Sequence, residues 1–100
     1  AIETFVRERV TDTRLSTDLL AEQFHQSVRT FTRNLNKLTG MGPGKYVQEI
    51  RLQVGRELLD SGKAGSIKQG ALMSGFDTPA YFSKLFRQRF GKEPLARGNM

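Results

Sequence analysis

The segment "TGMGPGKY" at residues 39–46 is the most glycine-rich stretch of the 100-residue chain. It is not a Walker-type phosphate loop, because Thr39 and Tyr46 occupy the positions where that loop needs Gly and Ser or Thr. No third glycine falls at the offset that the dinucleotide-binding fingerprint requires. Glycine tolerates the left-handed conformation that ends a helix, and proline fits the first turn of the next helix. The segment therefore predicts a hinge, with Gly40 after one helix and Pro43 at the start of another.

On both sides of the hinge, apolar residues recur at steps of three and four, which is the periodicity of α-helices. The sequence predicts an all-α fold of six helices and leaves open a seventh helix after Pro94. Side chains that can cap helix starts are Ser16 or Thr17, Ser27, Ser66, and Asp77 or Thr78. The residues expected to face inward are Val28, Phe31, Leu35 and Leu38 on the predicted helix at 28–39, and Phe82, Phe86 and Phe90 on the predicted helix at 79–90.

Composition narrows the classes of function. The chain is 37% hydrophobic and 26% charged, which is typical of a folded domain. A net charge of +6 and a pI near 10.2 suit a polyanionic partner, although a solvated basic face stays open as an alternative. The absence of cysteine excludes disulfides and thiolate sites. No apolar run approaches the roughly 20 residues of a membrane span, so no membrane contact is expected.

The two halves of the chain repeat one pattern. "LAEQFHQSVRTFTRNLNKLTG" at 20–40 aligns with "ALMSGFDTPAYFSKLFRQRFG" at 71–91. Phe31 then matches Phe82, Arg33 matches Lys84, and a one-residue gap brings the inward alanines into register. A short helix, a tight turn and a longer basic helix are typical of the helix-turn-helix, whose second helix enters the DNA major groove. The predicted parts of this single domain are a helix-turn-helix subdomain at 1–40, a linker helix at 43–61, a second subdomain at 62–94 and a tail at 95–100.

From Leu15 to Pro94 the sequence resembles the DNA-binding domain of the AraC/XylS transcription regulators. The resemblance rests on the repeat, on "GPGKYVQEIRL" and on "GSIKQGALMSGFDTPAYFSKLFRQRFGKEP". The family signature is matched by Ile67, Ala71, Gly75, Phe76, Tyr81, Phe82, Ser83, Phe86, Phe90, Gly91 and Pro94. "LTG", "YVQEIRLQ" and "YFSKLFRQRFGK" are similar to the C-termini of hybrid two-component regulators. Gly55, Gly70 and the tail "LARGNM" depart from the family pattern, and Gly55 is expected to loosen the linker helix by up to about 1 kcal/mol.

The resemblance implies a function and partners. It implies sequence-specific binding to double-stranded promoter DNA by the output domain of a bacterial regulator, more often an activator than a repressor. RNA polymerase and a separate N-terminal sensor, receiver or dimerisation domain are the implied partners. The implied location is the cytoplasm, at the nucleoid when bound, and no cofactor or metal is expected.

Candidate DNA-contacting residues lie on the second helix of each repeat, which we call the reading helix. The candidates for base contacts are Arg29, Thr32, Arg33 and Asn36 in the first half and Pro79, Ala80, Ser83 and Lys84 in the second. Candidates for phosphate contacts are Ser27, Thr30, Lys37, Lys45, Thr78, Tyr81 and Arg87, with Arg89 and Lys92 as further cations. Arginine can bind guanine through two hydrogen bonds, whereas lysine is a point charge. The first half is therefore expected to supply most sequence discrimination and the second to add affinity.

Other classes of function have less support from the sequence. The single histidine, His25, has no acid or nucleophile at useful spacing, so an enzyme is not predicted, and no Cys/His cluster suggests zinc. The alternative that stays open is a helical protein-interaction module whose basic face binds an acidic partner. Along the linker helix, Glu49, Glu57 and Asp60 are expected to be solvated charges, and Glu49 and Arg51 are also candidates to steady the helix against either half.

Overall fold

The computed structural model describes residues 1–96, and all regular structure in that range is helical. The helices are α1 (Ile2–Arg7), α2 (Thr17–Gln23), α3 (Val28–Thr39), α4 (Pro43–Asp60), α5 (Ile67–Met73) and α6 (Pro79–Phe90). The all-α prediction and the count of six within this range are confirmed. α2 with α3, and α5 with α6, form two helix-turn-helix units that both pack on α4. The question of a helix after Pro94 falls mainly on residues 97–100, which lie outside the described residues.

Capping groups set the helix boundaries. Of the two alternatives for α2, Ser16 and not Thr17 is the cap, since its Oγ accepts from Leu19 N at 3.2 Å. Of the two for α6, Thr78 and not Asp77 is the cap, since its Oγ1 accepts from Tyr81 N at 3.2 Å. Ser27 and Ser66 cap α3 and α5 in the same way. At the hinge, Gly40 is left-handed with φ 75° and Pro43 is the first residue of α4, as predicted. α4 ends at Asp60, one residue before its predicted end.

The turn inside each unit repeats as closely as the helices. Gln26 N donates to Ala21 O at 2.9 Å in the first turn, and Phe76 N donates to Ala71 O at 2.9 Å in the second. One residue before each donor, the backbone is left-handed, with φ 56° at His25 and φ 97° at Gly75. His25 is therefore a turn residue, and its strained backbone was not evident from the sequence.

Helix α4 lies between two separate hydrophobic cores. The first core contains Val6, Val10, Leu20, Ala21, Phe31, Leu35, Tyr46, Val47 and Ile50. The second contains Leu52, Leu59, Ala64, Ala71, Phe76, Phe82 and Phe86. Ile50 and Leu52 are two residues apart, which is roughly half a helical turn, so they face opposite sides of the helix. One helix can therefore serve both cores.

Two of the inward positions predicted on α3 are wrong. Val28 is 42% exposed and Leu38 is 77% exposed, whereas Phe31 and Leu35 are buried. α3 has 12 residues and α2 has only 7, so α2 is too short to cover α3 from end to end. Val28 in the first turn and Leu38 in the last therefore lie beyond the core. Leu38 lines an open, largely apolar groove of about 380 Å³ together with Ile2 and Phe24.

Gly55 is not simply a weak point of the linker helix. It is buried, and a Cβ at this position would lie 2.7 Å from Phe82 Cε1 and 3.0 Å from Ser74 Oγ. The Phe82 ring is fully buried between Phe76 and Phe86, with ring centroids 5.1 and 5.6 Å away. The glycine lets this ring lie directly against the α4 backbone. The packing of Phe82 on α4 therefore offsets the low helix propensity of Gly55.

We expect Gly55→Ala to lower the free energy of unfolding. Overpacking against the trapped Phe82 ring should cost about 1–3 kcal/mol, more than the up to about 1 kcal/mol that Ala gains over Gly in a helix. Gly44→Ala on the same helix is the control, because no atom lies within 4 Å of its Cβ position, and it should be neutral or stabilising. Urea unfolding of the two variants measures the difference. Equal or greater stability of Gly55→Ala would contradict this account of the site.

Ion pairs hold α4 to the elements beside it. Arg89 Nε of α6 lies 2.7 Å from Glu49 Oε1 of α4. Arg51 Nε of α4 donates to Val10 O at 2.9 Å. Glu49 and Arg51 therefore steady the linker helix, as expected. Glu57 is exposed, as expected, and Arg7 of α1 also binds both of its carboxylate oxygens at 2.9 and 3.0 Å. The expectation that Glu49 is solvated is wrong, because its side chain is only 14% exposed. Their hydrogen bonds to arginine lower the pKa values of Glu49 and Glu57, against the opposing effect of burial.

The Glu49 pair should make stability depend on pH. Because the folded state lowers the pKa of Glu49, its stabilising effect is complete well above the ordinary value of about 4.3 and is lost as pH falls through the lowered value. We expect Glu49→Gln to cost up to about 1 kcal/mol at about pH 7 and less in acid, as the pH falls through the lowered pKa of Glu49. Glu93→Gln, which breaks the exposed pair with Arg87, is the control and should cost less. Urea unfolding at neutral and at acid pH tests this, and a difference that stays undiminished in acid would exclude it.

Candidate nucleic-acid interface

The outer face of α3 is basic and polar. Arg29, Arg33 and Asn36 are exposed and Thr32 is half-buried, on the side of the helix away from Phe31 and Leu35. None of the ion pairs in residues 1–96 includes Arg29 or Arg33. Their guanidinium groups are therefore available to an external partner.

The outer face of α6 carries less hydrogen-bonding capacity. Ala80 and Lys84 are exposed, and Pro79 and Ser83 are half-buried. Lys84 is in no ion pair within the described part of the chain. α6 therefore repeats the geometry of α3, with one lysine where α3 has an arginine and with apolar groups at its first two positions.

The start of each reading helix has its capping hydroxyl already engaged. Ser27 Oγ accepts from Thr30 N at 3.1 Å and donates to Thr30 Oγ1 at 3.0 Å. Thr78 Oγ1 accepts from Tyr81 N. The first backbone N–H groups of a helix have no partner within it and can bind an anion. The predicted phosphate contacts at Ser27, Thr30 and Thr78 therefore lie where a phosphate could be bound.

Tyr81 stands out from the face of α6 beside the linker helix. Tyr81 is 49% exposed. Its ring packs edge-on against the Phe76 ring, with the centroids 6.2 Å apart, and its hydroxyl accepts a hydrogen bond from Gln48 Nε2 at 3.5 Å. The ring is thus supported from one side while the hydroxyl stays within reach of solvent. This geometry suits a polar contact through the hydroxyl better than stacking on a base.

The cations proposed for phosphate contacts differ in their present partners. Lys37 and Lys45 are exposed, and none of the ion pairs in the described residues includes them. Arg87 lies 2.7 Å from Glu93, with both side chains more than half exposed, so little free energy is needed to release it. Arg89 instead binds Glu49, whose side chain is mostly buried. This ion pair joins α6 to α4, so Arg89 has a structural role and is not needed as a phosphate contact.

Other kinds of site find no support in residues 1–96. No group of three or more His, Cys, Asp and Glu in this range is placed to hold a metal ion. Over the same range, no helix has both the length and the apolar character of a membrane span.

Two helix-turn-helix units, each presenting a basic second helix, define a helix-turn-helix DNA-binding domain. The family model described as "Helix-turn-helix domain" matches residues 20–96. A transcriptional regulator structure from Chromobacterium violaceum, described as having an AraC-type DNA-binding domain, has a TM-score of 0.85 and 31% identity and covers 93% of this chain and 81% of its own. This chain belongs to the AraC-type family of helix-turn-helix domains, and the resemblance found in the sequence is confirmed.

Two further relatives bear on function. The HTH-type transcriptional activator RhaS of Escherichia coli (strain SE11) is 40% identical over 77 residues, which are 77% of this chain and 27% of RhaS. The chain thus spans about a quarter of the length of that relative. The DNA-binding domain of AdpA, solved in complex with a target DNA, has a TM-score of 0.81 and 26% identity, and it covers 93% of this chain and 82% of its own. The family is one of DNA-binding domains of transcription regulators and not of enzymes.

Proposed function

We propose that this chain binds double-stranded promoter DNA sequence-specifically, as the output domain of a bacterial transcription regulator. The observation that carries the proposal is the pair of repeated reading helices, α3 and α6, whose exposed faces carry Arg29, Arg33 and Lys84 without partners among residues 1–96. The molecule is 47 Å long, which accommodates two readers about 34 Å apart, the separation of successive major grooves on one side of B-DNA.

The proposed contacts rest on the repeat in the sequence, and none of these residues is buried. Base contacts are proposed for Arg29, Thr32, Arg33 and Asn36 of α3 and for Pro79, Ala80, Ser83 and Lys84 of α6. Phosphate contacts are proposed for Ser27, Thr30, Lys37, Lys45, Thr78, Tyr81 and Arg87. The two units at 1–40 and 62–94 act as separate readers, and the linker at 43–61 holds them on one side of the molecule.

The wider role is part of the same proposal. Because RhaS is named an activator, we propose activation at promoters, with RNA polymerase as a partner and with sensing, phosphorylation or dimerisation supplied by a further domain of the regulator. Its place of action is then the cytoplasm, at the nucleoid.

Selection of bound sequences from a random duplex pool tests the proposal. Enrichment of a bipartite motif, with its two parts centred about ten base pairs apart, is the expected result. A double variant, Arg29→Ala with Arg33→Ala, is the matched control and should lose the part of the motif read by α3. If the wild type enriched no sequence motif, the proposal would be overturned. The alternative would then be favoured, a protein-interaction module that uses its basic face to bind an acidic partner.

A further inference from the structure

Three parts of the chain that are distant in sequence meet at one point between the two units. Val10 lies in the turn after α1, Arg51 lies in the middle of α4, and Gly75 lies in the turn between α5 and α6. Arg51 Nε donates to the Val10 carbonyl at 2.9 Å, across 41 positions of sequence. A Cβ at Gly75 would overlap the Val10 carbonyl oxygen and would lie 2.9 Å from Arg51 Nε. We call Val10, Arg51 and Gly75 the central joint.

Arg51 is used in an unusual way for a cation. It is half-buried, and burial lowers its pKa while the charge of Asp77 acts in the opposite direction. No ion pair of the described residues includes it, and its only hydrogen bond among them goes to a backbone carbonyl. Among the same residues, Arg51 is also the only side chain that donates to Val10 O. A half-buried arginine whose one hydrogen bond within residues 1–96 joins two distant parts of the backbone has a positional role, because burying a charge is costly unless the group gains a partner.

The joint adds a connection that the hydrophobic cores do not provide. The two cores share no residue, and each takes its own face of α4. Apart from the joint, the main helix packing that relates the two units runs through α4, which contacts helices of both. Gly75 matters because its lack of a side chain, together with φ 97°, brings the turn of the second unit onto the backbone of the first.

We infer that the central joint fixes the placement of α3 relative to α6 and so sets the separation of the two DNA half-sites that this domain reads together. Arg51 is a positioning residue that does not itself touch DNA. This inference rests on the proposed function, since it assumes that both helices read DNA. A domain held at one separation gains from both half-sites in a single binding event, whereas a loosened domain loses part of that gain because it must be ordered on binding.

Arg51→Met tests the joint, because it keeps an unbranched side chain of similar length and removes the donor. Lys63→Met is the control: it also removes one positive charge, and Lys63 is exposed in the loop between α4 and α5, away from Val10. Affinity is measured on duplexes with the half-site spacing found by selection, with one or two base pairs inserted between half-sites, and with each half-site alone. We expect Arg51→Met to match the wild type on single half-sites, to lose about tenfold on the selected two-part site and to show a smaller penalty for insertions.

The outcomes separate the joint from the proposed function. An Arg51→Met protein with the wild-type spacing profile would overturn the joint and leave DNA recognition intact. A wild type with no preferred sequence would instead overturn the proposed function. If Arg51→Met lacks a cooperative thermal transition, Arg51→Lys takes its place, since it keeps the charge but moves the donor from the Nε position.

A distance measurement that needs no DNA provides the second test. The chain contains no cysteine, so spin labels can be attached at Leu38→Cys and Gln88→Cys, both exposed and one in each unit. The distance distribution should be narrow in the wild-type background and in Lys63→Met, and broad in Arg51→Met. An equally narrow distribution in Arg51→Met would refute the joint regardless of any result with DNA.

Discussion

Raising the salt concentration from about 50 to about 200 mM should weaken binding to duplex DNA by about 1000-fold. A protein that neutralises about six phosphates releases their counterions, so the logarithm of affinity falls with the logarithm of salt at a slope of roughly −5. Fluorescence anisotropy across a salt series measures the slope on a selected site and on random duplex. A slope near zero on both would contradict binding through the phosphate backbone.

The distribution of cations explains why the slope should be steep. Many arginines are engaged within the protein, among them Arg7, Arg9, Arg14 and Arg56 away from the reading helices, and Arg89 on α6. The candidate cations on α3, on α6 and at the start of α4 that have no ion pair in residues 1–96 are Arg29, Arg33, Lys37, Lys45 and Lys84. Releasing Arg87 from Glu93 would add a sixth. Six of the sixteen lysines and arginines of the chain would then be available on the face proposed for DNA.

Single substitutions should reduce the slope in proportion. Replacing Lys37, a proposed phosphate contact, with Ala should make the slope shallower by about 1 and weaken binding to all sequences alike. Lys63→Ala is the matched control, because Lys63 is an exposed lysine in the loop between α4 and α5, outside the proposed interface. A similar change of slope in both variants would show that net charge, and not the assigned contact, governs binding.

Arg33→Ala should weaken binding to the selected site by about 10- to 100-fold and relax specificity at one base pair. A bidentate contact of arginine with guanine contributes about 1–3 kcal/mol of discrimination. Arg33 is exposed on α3 and, within residues 1–96, is not held by any carboxylate, so it can reach a base edge without breaking an internal pair. Selection from a random pool with the variant shows which position of the motif has lost its preference.

The equivalent change in the second unit should have a smaller effect on specificity. Lys84 matches Arg33 in the repeat but offers a point charge in place of a planar pair of donors. Lys84→Ala is therefore expected to lower affinity with less change of motif. Arg33→Lys separates charge from geometry, because it should keep the salt slope and lose the base preference. If Lys84→Ala altered the motif more than Arg33→Ala, the ranking of the two units would be wrong.

The elements of this fold were predictable because their signals are local. A cap such as Ser27 acts on a backbone group three residues away, and Gly40 ends α3 through its own backbone conformation. The periodicity of Phe31 and Leu35 depends only on the pitch of one helix. The repeat then made the helix-turn-helix units and the exposed stripe of Arg29 and Arg33 readable from the sequence.

The tertiary structure alone decided which surfaces meet. The exposure of Leu38, the ring of Phe82 against Gly55, and the choice of Arg7 as the partner of Glu57 depend on where the elements end and how they cross. The bond from Arg51 to Val10 joins residues 41 positions apart, and no local pattern marks Val10 as the partner of Arg51. Hydrogen bonds and periodicity within one helix are set by neighbours along the chain, whereas contacts between helices depend on the shapes and lengths of both partners.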